Sequence, residues 1–125
     1  MESGFILDSN IAVYLPQGLL TKNASLFLRK VLKQIAQLSL ISKIELLCWD
    51  EESSLIENFI DDSIILPISD EIVVKTIEIR RKYKIKLPDA IIAATAIIYN
   101  CKLITGNEND FRKIEELSFI NTFKS

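Results

Sequence analysis

Four carboxylates stand close to segments that this sequence marks as strands. Asp8 and Glu45 come shortly after two apolar runs, Asp89 opens an alanine-rich segment, and Asp110 follows a later apolar run. If those runs are parallel strands of one sheet, the four acids converge at the edge where such sheets bind ligands. Converging carboxylates repel one another, which raises some of their pKa values unless a cation is present. Because oxygen ligands suit Mg²⁺ or Mn²⁺, the pattern predicts a divalent-metal site.

Each of these acids also has a purely structural explanation. Asp8 can start a helix, and Asp89 can complement the partial positive charge of a helix N-terminus. Glu45 completes an S-x-x-E pattern that begins at Ser42 and is typical of a capping box. Asp110 can cap a helix or remain exposed. The metal site is therefore favoured by the joint placement of the four acids after successive strands, and by no single one of them.

The sequence contains no histidine. This absence excludes Ser-His-Asp and Cys-His nucleophiles, which need an imidazole as the base. It also excludes histidine-based zinc sites, for which Cys48 and Cys101 are too far apart to supply the missing ligands. The two cysteines form no CxxC pair and predict reduced thiols. Hydrolytic chemistry in this chain must depend on carboxylates, hydroxyls and amides.

A basic segment precedes Asp89, although the formal net charge of the chain is only −2. Its five basic residues lie within seven positions: Arg80, Arg81, Lys82, Lys84 and Lys86. Such a cluster can contact phosphates, and it can equally be the solvated end of a helix. We predict substrate-phosphate contacts from four of the five: Arg80, Arg81, Lys84 and Lys86.

The elements that must position these residues alternate between short apolar strands and helices. Strands are predicted at 5–7, 38–41, 64–66 and 102–105, with a short fifth at 117–120. Helices are predicted after Asp8, around the apolar spacing of 28–35, from Ser42 onwards, over 70–82 and over 89–100. This alternation predicts an α/β fold, a three-layer α/β/α sandwich with a four- to five-stranded parallel sheet.

Length and composition fit a single globular domain covering residues 1–125. Hydrophobic residues make up 49% of the chain and charged residues 26%. The first residues, 1–4, lack the basic and apolar regions of a signal peptide. The longest apolar stretch, 90–99, is about half the length that a membrane span needs. We therefore expect a cytoplasmic protein without membrane association.

Four segments of the chain resemble the motifs of PIN domains, particularly those of VapC-type toxin ribonucleases. They occur in the family's order and with approximately its spacing: Ile6–Asn10 (ILDSN), Ser42–Leu46 (SKIEL), Pro88–Ala96 (PDAIIAATA) and Leu103–Phe111 (LITGNENDF). The last two motifs are the more specific ones. Two positions depart from the family pattern without removing a carboxylate: Ile44 and Gly106.

The resemblance implies a PIN-like fold and metal-dependent endoribonuclease activity, with Mg²⁺ or Mn²⁺ as the cofactor. Asp8, Glu45 and Asp89 match the core acids of the family, and the fourth ligand position falls on either Asn107 or Asp110. The resemblance also implies an RNA substrate, a VapB-like antitoxin partner and a homodimer.

The expected chemistry is in-line attack of an activated water on an RNA phosphodiester. Asp8 and Asp89 are predicted as direct or near-direct metal ligands, while Glu45 binds a second ion or orients the water. Asp110 is included among the catalytic acids. Three further residues are predicted to orient the carboxylates, and the last two of them also to contact substrate: Ser9, Asn10 and Thr105.

Three other functions compete with this one. A response-regulator receiver needs paired acids after the first strand and an Asp after the third, but Ser9 follows Asp8 and Pro67 follows the third strand. A DxD-type phosphatase is disfavoured because Asn10 stands two positions after Asp8. A catalytically silent PIN fold that binds RNA or protein keeps the same sequence features. Metal-dependent cleavage that is abolished by Asp89→Asn separates the nuclease from this silent module.

Overall fold

The computed structural model describes residues 4–31, 35–48 and 54–121. Five short strands occur in this part of the chain: β1 (Phe5–Leu7), β2 (Gln37–Ser39), β3 (Ile64–Leu66), β4 (Lys102–Thr105) and β5 (Phe119–Asn121). The helices between and after them are α1 (Ser9–Tyr14), α2 (Lys22–Val31), α3 (Leu40–Cys48), α4 (Ser54–Asp61), α5 (Asp70–Lys82), α6 (Leu87–Ile98) and α7 (Glu108–Phe111).

All strand pairs are parallel, as the alternation of strands and helices predicts. Strand β4 lies between β1 and β5, and β2 pairs with β3 in a separate hydrogen-bonded ladder. Strands β1 and β2 lie side by side, and the Gln37 side-chain amide donates to the Phe5 carbonyl oxygen at 3.1 Å. The spatial order is therefore β3-β2-β1-β4-β5. The carboxyl ends of all five strands lie at the same edge.

Successive strand residues face opposite sides of this sheet and belong to two different hydrophobic clusters. Ile6 and Leu103 pack on the side that carries α5 and α6, whereas Leu7 and Ile104 pack on the side that carries α1 and α2. All four side chains are fully buried. Burial on both faces explains the apolar runs of β1 and β4, and it confirms the three-layer α/β/α architecture.

Local sequence signals explain where the two long helices begin. The Ser69 hydroxyl accepts a hydrogen bond from the Ile72 amide and caps α5. Helix α6 begins at Leu87, with Pro88 in its first turn, where a missing N–H costs no hydrogen bond. The alanines of α6 are fully buried, which lets the helix lie close to α5 and the sheet: Ala90, Ala93, Ala94 and Ala96.

Several predicted boundaries are corrected by the structure. Strand β2 ends at Ser39, and α3 begins at Leu40, so Ile41 is helical. Ser42 consequently lies inside α3, and the predicted capping box is wrong. The amide of Ile41 instead donates to the Ser39 hydroxyl at 3.2 Å.

Other elements differ from their predictions in smaller ways. Strand β5 begins two residues and ends one residue later than predicted, and α6 begins and ends two residues earlier than predicted. Helices α4 and α7 have no counterpart among the predicted elements. Leu32, part of the predicted apolar spacing near α2, lies outside the described residues. In the part of the chain that the structure describes, no helix is long and apolar enough to cross a bilayer.

Candidate metal centre

Asp8 is the buried acid at the end of β1. It caps α1, since its Oδ1 accepts a hydrogen bond from the Ser9 amide at 2.8 Å. Its Oδ2 accepts a second bond from the Thr105 hydroxyl at 2.7 Å, across the β1–β4 pair. Burial raises the pKa of Asp8, the two hydrogen bonds oppose that rise, and the nearby charges of Glu45 and Asp110 add to it. Asp8 therefore combines the predicted capping role with a place in the acid cluster.

Thr105 connects two of the predicted site segments. While its hydroxyl donates to Asp8, the same oxygen accepts a hydrogen bond from the Asn107 amide at 2.9 Å. The side chain is fully buried. The contact of Thr105 with substrate stays a prediction, and the structure shows two hydrogen bonds of its hydroxyl within the protein. Through them Thr105 positions Asp8 and the turn after β4.

Asp89 lies in the first turn of α6 and faces the same cleft. Its pKa is raised to about 6, first because partial burial removes solvent and then because Asp8, Asp110 and Glu45 are close by. Lys86 offsets part of this rise. Among the described residues, no hydrogen bond reaches the Asp89 carboxylate. Its charge is therefore compensated less well than that of Asp8.

Glu45 reaches the cleft from the middle of α3. The Ser9 hydroxyl donates to Glu45 Oε1 at 2.8 Å and pairs with the buried Ser42 hydroxyl at 2.9 Å. Ser42 and Glu45 are three residues apart and therefore share one helix face. Sequence reasoning missed this role of Ser42 because its spacing to Glu45 was interpreted as a cap. The same spacing, placed within a helix, indicates only that Ser42 and Glu45 share a face, and not that Ser42 contacts Ser9.

Asn107 and Asp110 lie at the other side of the cleft. The Asn107 side-chain amide donates to Asp110 Oδ2 at 2.8 Å. The Asp110 charge acts on both Asp8 and Asp89. Asp110 therefore belongs electrostatically to the acid cluster, and Asn107 orients it.

The acids line one polar cleft of about 230 Å³. Its lining includes the four predicted acids together with Ser9, Asn10, Lys86, Pro88 and Asn107. Mutual repulsion and burial, visible in the raised pKa values of Asp8 and Asp89, are the conditions that a bound cation relieves. The donor set of carboxylate and amide oxygens fits Mg²⁺ or Mn²⁺.

The carboxylates do not already form a closed ligand set. In residues 4–31, 35–48 and 54–121, no group of three or more Asp, Glu or Cys side chains has the arrangement of a metal site. Hydrogen bonds explain this, because Asp8, Glu45 and Asp110 are each directed towards a protein donor.

A basic depression of about 400 Å³ adjoins the acid cleft. It is lined by Arg80, Lys84, Ile85, Lys86 and Asp110, and it shares the last two residues with the cleft. The structure thus brings Arg80, Lys84 and Lys86 together beside the acids. Arg81 is exposed on α5 but does not line this depression.

The chain matches one protein-family model, that of the PIN domain, over residues 5–117. Comparison with curated protein sequences gives no match. Among solved structures, similar chains occur in a toxin–antitoxin complex from Klebsiella pneumoniae and in VapBC-1 from nontypeable Haemophilus influenzae. The first is 27% identical with a TM-score of 0.76, and the second is 22% identical with a TM-score of 0.77.

A third similar chain belongs to VapBC2 from Rickettsia felis, which was solved bound to a DNA fragment from the promoter. It is 24% identical, with a TM-score of 0.73. The three alignments cover 94–96% of this chain and 97–98% of the other chains. The similarity therefore extends over the whole fold and includes every strand whose end contributes to the cleft.

Proposed function

The chain belongs to the PIN domain family, and we propose that it is a metal-dependent endoribonuclease, the toxin of a VapBC-type toxin–antitoxin pair. The observation that carries this proposal is the convergence of Asp8, Glu45, Asp89 and Asp110 in one cleft, in a chain without histidine. A basic depression beside the cleft supports a substrate made of linked phosphates.

Asp8 and Asp89 would hold Mg²⁺ or Mn²⁺, and Asp110 would occupy the fourth ligand position. Glu45 would bind a second ion. We choose Asp110 over Asn107 because it carries a charge that acts on the other acids, whereas the Asn107 amide donates to it. A divalent cation bound there lowers the pKa of a water molecule and neutralises charge on phosphoryl oxygens.

The protein's own groups prepare the cleft for this chemistry. Thr105 and the Ser9 amide fix the orientation of Asp8, and the Ser9 hydroxyl fixes Glu45. Lys86 stands at the mouth of the cleft, where it can hold the phosphate next to the bond that is cut. Arg80 and Lys84 continue the positive surface along the strand of RNA.

The test is cleavage of total RNA and of unstructured oligonucleotides, with Mg²⁺ or Mn²⁺ and with excess EDTA. We expect cleavage only with the metal, and we expect Asp8→Asn and Asp89→Asn each to lower it at least a hundredfold while the far-UV spectrum stays unchanged. Asp62→Asn is the matched control, because Asp62 is exposed just before β3, at the opposite edge of the sheet. Full activity in EDTA would contradict the proposal, and RNA binding without cleavage would favour the silent module.

A VapB-like antitoxin and a homodimer are the proposed protein partners, and the cytoplasm is the proposed location. The VapBC complexes from Rickettsia felis and Haemophilus influenzae support the antitoxin. An exposed apolar stripe on α5, formed by Val73, Val74 and Ile77, supports self-association. Light scattering of the purified protein tests the dimer, and co-purification with the product of an adjacent gene tests the antitoxin.

A further inference from the structure

A second groove leaves the acid cleft on the side away from the basic depression. It has a volume of about 320 Å³ and is lined by Ser9, Asn10, Val13, Tyr14, Glu45 and Leu46. Ser9, Asn10 and Glu45 also line the acid cleft, so the two spaces are continuous. The basic depression, the acid cleft and this groove, which we call the α1–α3 groove, thus form one track across the carboxyl edge of the sheet.

The two ends of this track differ in chemistry. Among the described lining residues, the basic depression has three cationic side chains and one carboxylate, that of Asp110, while the α1–α3 groove has no cationic side chain and has the Glu45 carboxylate. A phosphate is therefore attracted to the first end and repelled from the second. The α1–α3 groove instead offers apolar surface from Val13 and Leu46, and the ring of Tyr14.

Tyr14 is the aromatic side chain among the described residues that line the α1–α3 groove. It is the last residue of α1, its side chain is 37% exposed, and no hydrogen bond among the described residues engages its hydroxyl. Aromatic side chains next to a nucleic-acid track bind unpaired bases by stacking on their faces. Asn10 lies where the α1–α3 groove meets the acid cleft, and its amide can pair with a base edge.

We propose that the α1–α3 groove binds one unstacked nucleobase of the RNA, next to the phosphate that is cut, with Tyr14 as its stacking platform. This inference rests on the proposed nuclease function and specifies its substrate. Single-stranded RNA is the favoured substrate at that point, because moving a paired base into the groove would cost the energy of unpairing and unstacking it. Tyr14 is then a specificity-determining residue, whereas the acids determine catalysis.

The experiment combines Tyr14 variants with single abasic sites moved along a cleavable oligonucleotide. We expect one abasic position, immediately on one side of the cut, to lower kcat/KM of the wild type by roughly 5- to 100-fold, the range that stacking of one base gives. Tyr14→Leu should lower cleavage of the intact oligonucleotide similarly, and the abasic site should then have no further effect. Tyr14→Phe keeps the ring and should retain the wild-type rate.

Leu26→Ala is the matched control, since Leu26 is an exposed apolar residue on α2 that does not line the track. Equal rates of cleavage of intact RNA by wild type and by Tyr14→Leu would overturn the proposal. The α1–α3 groove would then be a candidate site for a protein partner. Independent losses from Tyr14→Leu and from the abasic site would overturn the proposal as well. A wild type that cleaves no RNA would instead contradict the nuclease function. Anisotropy of the same oligonucleotides in EDTA would then still test stacking, through a loss of affinity in Tyr14→Leu.

Discussion

Asp89 is the acid in the cleft whose charge the protein compensates least. In the metal-free protein its pKa is about 6, above the ordinary value of 3.8. Between these two values the folded protein binds more protons at this site than the unfolded chain does. The stability contribution of Asp89 therefore falls as the pH rises through this window, and the full penalty applies above about pH 6.

Asp89→Asn should therefore melt at a higher temperature than wild type in EDTA at neutral pH. The penalty that it removes is on the order of 1–2 kcal/mol after solvent screening, and 1 kcal/mol corresponds to roughly 2–8 °C. Loss of a favourable charge at the start of α6 offsets about 0.3–1 kcal/mol of that gain. Thermal melting over a pH series measures the difference, which should shrink as the pH is lowered from 6 towards 4.

Asp8→Asn is a poorer test of repulsion, although Asn caps a helix about as well as Asp. Both Asp8 carboxylate oxygens accept hydrogen bonds, and an amide supplies only one acceptor. A lower melting temperature for Asp8→Asn would therefore report the loss of a hydrogen bond. An Asp89→Asn protein that melts below wild type at every pH would contradict the repulsion.

Thr105 links the buried acid to the turn that carries Asn107. Thr105→Val removes the donor to Asp8 and leaves the Asn107 amide without its acceptor. We expect a loss of stability of about 1–3 kcal/mol. The pKa of Asp8 should rise further, because one of the hydrogen bonds that lower it is removed. The acidic limb of the pH–rate profile should consequently move to higher pH.

Thr105→Ser keeps the hydroxyl and is the matched control. It should restore the position of the acidic limb even if removal of the methyl group costs part of the stability. A pH–rate profile that does not move in Thr105→Val would show that Thr105 stabilises the fold without tuning Asp8.

At the scale of elements, the sequence predicts best the segments whose signals are local. Strands β1, β3 and β4 have their predicted bounds, because each contains a short apolar run that is followed within two residues by Asp8, Pro67 or Gly106. Helix α5 also has its predicted bounds, since Ser69 provides a cap that depends only on neighbouring residues. Such signals need no knowledge of the rest of the fold.

The error at α3 comes from a capping motif that another local hydrogen bond replaces. Residues 42–45 carry a good capping motif, but the Ile41 amide donates to the Ser39 hydroxyl and α3 starts earlier. Ser42 is thereby directed towards Ser9, which is thirty-three residues away in the sequence. No spacing rule within one helix predicts a contact between α1 and α3.

The residues of the candidate site also fall into those that the sequence could place and those that it could not. The sequence could predict which acids meet, because each follows or opens an element whose place in a parallel sheet is fixed by topology. It could not predict which basic residues lie beside them. Arg80 and Arg81 are adjacent on α5, yet only Arg80 lines the basic depression, because neighbouring helical residues point about 100° apart.

At the scale of the whole molecule, the basic depression forms a positive surface although the net charge of the chain is −2. Lys84→Glu and Lys86→Glu should each weaken RNA binding and reduce the slope of log affinity against log salt. On single-stranded RNA the reduction should be about 0.7 for each phosphate that the variant no longer neutralises. Arg81→Glu makes the same charge change outside the basic depression and should have a smaller effect. Fluorescence anisotropy across a salt series, in EDTA, measures all three. Equal slopes for the three variants would assign the basic segment to a solvated helix end.

The sheet itself is divided between two ladders. Strands β1, β4 and β5 share one ladder, and β2 and β3 share the other. Side-chain contacts cross this boundary, including the bond from Gln37 to Phe5. Asp8 follows β1 on one side of the boundary, and Glu45 follows β2 on the other.

The two ladders can therefore behave as separate cooperative units in native-state amide hydrogen exchange. We expect the central β4 amides to be protected up to the global unfolding free energy, and the β2 amides to exchange through a smaller opening. Such a local opening would move Glu45 away from Asp8 and disrupt the acid cleft while most of the molecule stays folded. A cation that bridges the two sides should slow β2 exchange selectively, as measured with and without Mg²⁺. Equal protection of β2 and β4 under both conditions would show that the sheet opens only as a whole.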